Sequence, residues 1–242
     1  MILAKRAARF LPADVMPAVF ALSVNRKLRY GYEGPLFRFK RGGYEYDYPE
    51  EQVQDGDKII KIYDQKVHKG HTPYHAVQED MSLQPTVQIS NGIVAKFELG
   101  QYMKIDLPSP FSLGDFTLTV KGSGVQARPL IGGWGYDKIT IEPSSVGRVS
   151  FNNKKVILGD INDKVTRIFT GTDKAQNNNR VLEANTGTSQ GASLLPAGDI
   201  VFSHLNIGRM DDRYFEGYFS EATLHESLSE SRSKKVWEGA NV

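Results

Sequence analysis

Cleaving a glycosidic bond takes two carboxyl groups facing each other across it, one to give a proton and one to attack or to activate water. Glu216 and Glu221 stand out first, but both fall in Tyr214–Leu224, which reads as one strand. An odd spacing puts them on opposite faces, so they cannot form that pair with each other. Asp64, Asp137 and Glu142 are other possible partners for Glu221, and no spacing rule joins any of them to it. No catalytic residue is assigned on these grounds, and the chain is expected not to be an enzyme.

Other chemistry is weaker still. His68, His71 and His75 cluster closely enough to supply part of a metal site. No fourth ligand accompanies them, and Gly70 and Pro73 suggest an irregular exposed loop instead. Asp160-Ile-Asn-Asp163 and Asp211-Asp212 offer oxygens for calcium, yet neither follows a loop with defined coordination positions. Aspartate in such turns more often bonds its own backbone. Gly132-Gly-Trp-Gly135 lacks the Lys-Ser/Thr of a phosphate loop, and no serine sits on the strand-to-helix turn of a nucleophile elbow. No metal and no cofactor are expected. For a ligand, Trp134, Tyr136 and Asp137 are the candidates: glycine-flanked rings suit the C–H faces of a sugar, and Asp137 can accept from its hydroxyls. The competing reading has Trp134 plugging the end of the core.

Composition narrows the classes. Among 242 residues, 30 basic and 28 acidic side chains nearly cancel, which argues against nucleic acid held by charge. Lys5, Arg6, Arg9, Arg26, Lys27, Arg29, Arg38, Lys40 and Arg41 crowd the first 41 residues, as a docking arm would. Cysteine is absent, so disulfides and thiolate zinc sites are impossible. No apolar run is long enough to span a membrane. The apolar stretch Val15–Leu22 after the first basic residues is broken by Pro17, unlike a secretion signal.

The elements that must position these residues are mostly strands. A short helix is expected over 2–11 and a second from Pro17 to Leu28, where Val19, Phe20, Val24 and Leu28 form one stripe. From Pro35 onward period-two alternation takes over, as in Tyr44, Tyr46 and Tyr48 against Glu45 and Asp47. Strands are expected at Lys58–Tyr63, Thr86–Ile89, Ile93–Phe97, Tyr102–Ile105, Phe116–Val120, Lys138–Glu142, Arg148–Phe151, Lys155–Leu158, Val165–Thr170, Arg180–Glu183, Ile200–Ile207 and Tyr214–Leu224. Val67–Gln84 reads as an ordered loop, and 173–193 as containing an exposed tip. Short strands at such intervals, without alternating helices, indicate a sandwich or barrel.

Two stretches carry a family resemblance. Ser23-Val-Asn-Arg-Lys-Leu-Arg-Tyr-Gly-Tyr-Glu-Gly-Pro-Leu-Phe-Arg-Phe-Lys-Arg41 is the first. The second is Ile59-Ile-Lys-Ile-Tyr-Asp-Gln65, followed by His75-Ala-Val-Gln78 and Gln84-Pro-Thr86. Together they resemble the opening of the catalytic domain of arabinofuranosidase B-type enzymes, an opening shared by lectin-like virion proteins of tailed bacteriophages. Leu205-Asn-Ile-Gly-Arg209, Phe215-Glu-Gly-Tyr-Phe-Ser-Glu221 and Leu228-Ser-Glu-Ser-Arg232 resemble the closing strands and last helix of concanavalin A-like and laminin G-like domains. The resemblance runs from about Ser23 to Trp237, and departs from the enzymes where Lys66-Val-His-Lys-Gly-His71 replaces a small Ser-Gly turn. It implies an all-β fold, a two-sheet antiparallel β-sandwich of the concanavalin A-like jelly-roll type over 35–242, behind a helical N-terminal arm over 1–34. The function it suggests is a non-enzymatic bacteriophage virion protein of tail, fibre or capsid surface, made and assembled in the host cytoplasm. Such a protein would join other virion proteins through its arm, as an oligomer or part of a larger assembly, and bind a host-surface glycan, with no nucleic acid and no membrane insertion. The alternative is a glycoside hydrolase resembling the arabinofuranosidases.

Overall fold

The computed structural model describes residues 18–66, 72–105, 107, 111–113, 115–126, 128–134, 139–145, 147–151, 154–173, 179–186, 190–195, 200–202, 204–226 and 228–240. Its organising element is Gly217–Glu226, buried at nearly every position. It pairs antiparallel with Ala18–Ser23, Phe116–Gly124 and Ile93–Phe97. Beyond Phe116–Gly124 the ladder continues through Val165–Asp173 and Asn179–Asn185 to Gln190–Leu195. On the other side Ile93–Phe97 forms a hairpin with Thr86–Ile89, which touches Lys58–Ile62 through the Thr86–Lys58 pair.

Lys58–Ile62 starts a second run of strands. It pairs with Phe37–Arg41, whose outer neighbour is Tyr44–Tyr48, and with Ala76–Val77. From Ala76–Val77 the pairing passes through Met103–Ile105, His204–Ile207, Ile131–Trp134, Ile139–Glu142 and Gly147–Phe151 to Lys154–Gly159. That last strand packs back against Gln190–Leu195. The result is one connected antiparallel sheet of 18 strands, curled nearly into a barrel, with two short two-stranded sheets beside it. The all-β, antiparallel expectation holds. Phe20, Phe37, Phe39, Phe97, Phe116, Phe215 and Phe219 fill its inside and are fully buried. The closing helix, Glu230–Ala240, lies where the Leu228–Arg232 motif placed it. Val236 is buried, and the Trp237 indole donates to the Val165 carbonyl at 2.9 Å.

The N-terminal arm needs correcting. Residues 18–23 are a strand hydrogen-bonded into the sheet, and the chain then turns through Arg26 to Gly31 without helix. The helical spacing was coincidental. All six residues of the strand are buried, and a continuous apolar run suits a strand covered on both faces as well as it suits a helix. The helix expected over 2–11 lies outside the described residues.

Gly217 explains the Phe-x-Gly motif. It adopts φ +152°, a region L-residues rarely enter, and a Cβ there would run into the Ser123 carbonyl and the Phe215 ring. Gly217→Ala is therefore expected to lose at least about 1 kcal/mol of stability. A urea melt with an unchanged midpoint would show that the backbone can relax.

Candidate functional site

Four carboxylates are buried among the described residues: Asp57, Asp64, Glu142 and Glu221. A buried carboxylate must be paired, hydrogen-bonded or protonated. Glu221 is closed by Arg26, whose Nε and second guanidinium nitrogen donate to its two oxygens at 2.7 and 2.8 Å. That hydrogen bond in turn raises the Arg26 pKa against the opposing cost of burial. Asp57 takes two bonds from Arg41, at 2.8 and 2.5 Å. Glu142 is held between Arg148 and Arg213. These three act as the anionic halves of structural ion pairs.

Asp64 is different, because no arginine meets it. Its Oδ1 accepts from the Ala21 and Lys66 amides at 2.8 and 2.9 Å, and its Oδ2 from the Tyr74 amide at 2.8 Å. Desolvation pushes its pKa up to about 6, and it outweighs the amide bonds and the charge of Lys66, which pull the other way. Lys66 itself is buried, donates to the Val19 carbonyl at 3.0 Å and lies over the Tyr74 ring.

A cavity of about 390 Å³ opens over Asp64, lined also by Arg29, Tyr32, Glu33 and His75. The Tyr-Glu-Gly-Pro turn shapes one wall. The Tyr32 hydroxyl donates to the Pro35 carbonyl at 2.8 Å, and its ring folds so closely over Gly34 that a Cβ there would meet the phenol oxygen at 2.7 Å. Burial, then the neighbouring Asp64, raises the Tyr32 pKa to about 12. Glu33 stands exposed on the rim. Opposite, the His75 Nδ1 accepts from the Asp64 amide at 2.9 Å, and its ring meets Tyr63 edge-on. With Nδ1 an acceptor, the neutral ring keeps its proton on Nε2. The site therefore offers a carboxyl group titrating near neutrality and a second carboxylate at the mouth.

The other expected residues are scattered. Glu221 and Glu142 are closed by arginine, so neither faces Asp64 as a free acid. Trp134 ends the strand Ile131–Trp134, its backbone opposite His204. Tyr136 and Asp137 lie outside the described residues, as do His68 and His71. Asp160 accepts from the Asn162 amide, a local turn bond. Gly187-Thr-Ser-Gln-Gly191 spells the letters of a nucleophile elbow, but its last two residues open the strand Gln190–Leu195, which pairs antiparallel with Asn179–Asn185, and 187–189 lie outside the described residues. A larger cavity, about 550 Å³ beneath the closing helix, holds one lining carboxylate, Glu183, in a 3.7 Å ion pair with Arg167. The sequence offered Asp64 only as a partner for Glu221 and left Glu33 unmarked; the Tyr-x-Gly-Pro and Tyr-Asp-Gln motifs were the available signals.

Searches against family models and against curated sequences find no match. Among solved structures the fold matches an arabinofuranosidase crystallised with arabinofuranosyl-α-1,2-xylobiose, with a TM-score of 0.64 and 13% identity. The match covers 95% of this chain and 64% of that one, so the chain spans less than two thirds of that protein's length. The fold likeness is to an arabinofuranosidase, which counts against the expected non-enzymatic virion protein. Counting carboxylates along single strands had hidden the candidate centre, because Glu33 and Asp64 are brought together by folding.

Asp64 also fixes a pH dependence. Its folded pKa is raised from 3.8, so its favourable contribution is complete below pH 3.8 and is lost as pH rises through about 6. Relative to wild type, Asp64→Asn should thus gain stability across that window, by at most about 3 kcal/mol. Chemical melts of both proteins at several pH values check this; a constant difference would mean that Asp64 titrates normally.

Proposed function

We propose that the chain is a glycoside hydrolase of arabinofuranosidase type that removes arabinofuranosyl groups from a glycan, with the Asp64 cavity as its active centre. The observation that carries this reading is the pairing in one cavity of Glu33 with the one buried described carboxylate that no arginine neutralises. The fold likeness supplies the sugar class.

The roles follow from the environments. Both acceptor positions of Asp64 Oδ1 are filled by amides, and Oδ2 takes one, so the proton of the acid form sits on Oδ2. A pKa of about 6 keeps that proton available near neutral pH, which suits a general acid acting on the leaving oxygen. Exposed Glu33, lining the same cavity, serves as the second carboxylate, attacking carbon or activating water. His75 and Arg29 line the same cavity beside the two carboxyl groups.

With an aryl arabinofuranoside, kcat/KM should fall as pH rises through about 6, because the acid loses its proton. Glu33→Gln should cost at least about a hundredfold in kcat with no change in melting, since the side chain is exposed. Hydrolysis that persists in Glu33→Gln and Asp64→Asn alike would refute the assignment.

A further inference from the structure

Lys66 is the one buried lysine among the described residues. An ammonium taken out of water needs a hydrogen-bond acceptor and an opposite charge. Its acceptor is the Val19 carbonyl, 3.0 Å from Nζ. Asp64 and Gln65, the two residues before it, hold the same edge of Ala18–Ser23. The Ala21 amide donates to Asp64 Oδ1, and the Ala21 carbonyl accepts from the Gln65 amide, both at 2.8 Å. Residues two apart turn their backbone groups to the same side of a strand and span about 7 Å. Ammonium and carboxyl group are thus fixed side by side along one short stretch of strand edge.

Two further ties lock the arrangement. The Lys66 amide donates to Asp64 Oδ1 at 2.9 Å, so the chain cannot move the ammonium without disturbing the carboxyl group. Tyr74 donates its amide to Asp64 Oδ2 at 2.8 Å, and its ring centre lies 5.1 Å from Lys66 Nζ. The strand residues that Asp64 and Lys66 touch, Val19 and Ala21, carry no charge. On the cavity side stand Tyr32 and His75, with half-buried Arg29 and exposed Glu33 nearer the water that screens them. Burial is the larger influence on Asp64 and raises its pKa, while the charge of Lys66 pulls against it.

We propose that Lys66 is a positioning residue for the Asp64 acid, its fixed ammonium supplying the countercharge for the carboxylate left when Asp64 gives up its proton. A general acid buried without such a partner would hold its proton too tightly, because the anion it leaves has no water to face. An ammonium already in place stabilises that anion without any rearrangement at the moment of transfer. Lys66 touches the carboxyl group through its own amide and the strand edge, and its side chain is bound to Val19, so it acts through Asp64 and not on a substrate. The proposal deepens the hydrolase reading and rests on it for the proton transfer, whereas the coupling of Lys66 to Asp64 is measured without turnover.

Carbon NMR of the Asp64 carboxyl group across a pH series, in wild type, Lys66→Gln and Lys66→Arg, tests the coupling. Lys66→Gln keeps a donor for Val19 but removes the charge, and should raise the Asp64 midpoint by about half a pH unit or more. Lys66→Arg keeps the charge and should restore the wild-type midpoint. An unchanged midpoint in Lys66→Gln overturns the proposal. Should that variant not fold, the wild-type protein still decides: its Lys66 Nζ resonance should step at the Asp64 midpoint, and a flat trace there overturns the coupling. With an aryl arabinofuranoside, the fall of kcat/KM should move to higher pH in Lys66→Gln together with the midpoint, and return in Lys66→Arg. A midpoint that moves while the kcat/KM profile stays in place would overturn the role in proton transfer. Absence of turnover in wild type would refute the hydrolase reading, and the two NMR measurements would still stand or fall on their own.

Discussion

The buried Asp64–Gln65 pair is the join on which the rest of the structure depends. A strand inserted at the edge of a curled sheet leaves backbone groups that water cannot reach, and each needs a partner. Asp64 accepts from the Ala21, Lys66 and Tyr74 amides, tying the first described strand to the ends of two others. Gln65 completes the join. Its amide donates to the Ala21 carbonyl, its Oε1 accepts from Leu28 at 2.6 Å, and its Nε2 donates to the Arg26 carbonyl. The turn from Arg26 to Gly34 is thereby pinned where it can form a wall of the cavity.

The same join creates the chemistry. Satisfying a carboxylate with amides instead of an arginine leaves its burial uncompensated, and its pKa rises accordingly. Elsewhere the molecule chose the other solution. Arg38 and Asp47 show the contrast at the surface: the Arg38 hydrogen bond, helped by the Tyr63 hydroxyl, outweighs burial and holds the Asp47 pKa down. One residue type thus has its pKa lowered in one place and raised in another, and the difference lies in its neighbours.

Much of the fold was legible because local signals agreed with it. Thr86–Ile89 and Ile93–Phe97 appear with their expected bounds, since Asn91-Gly92 marks the turn and Gly92 takes φ +137°. Tyr44–Tyr48 forms as expected, an outer strand on which Tyr46 and Tyr48 stack on Phe39 and Phe37 while Asp47 meets Arg38. Ala18–Ser23 misled because burial on both faces erases period two. Ile131–Trp134 hid behind its glycines, which are needed where Arg209 and Met210 cross closely over Gly132. The site was the least legible part. The arginine that closes Glu221, Arg26, comes from the far end of the chain, and no local pattern encodes that contact.

The central claim is that Asp64 is a carboxyl group held by amides and raised by burial into the range of a working acid. Following its side-chain carboxyl carbon by NMR across a pH series measures this directly. The account predicts a midpoint near 6. A midpoint at or below the ordinary 3.8 would show that the amide bonds dominate, and Asp64 would then be a structural anion like the other three.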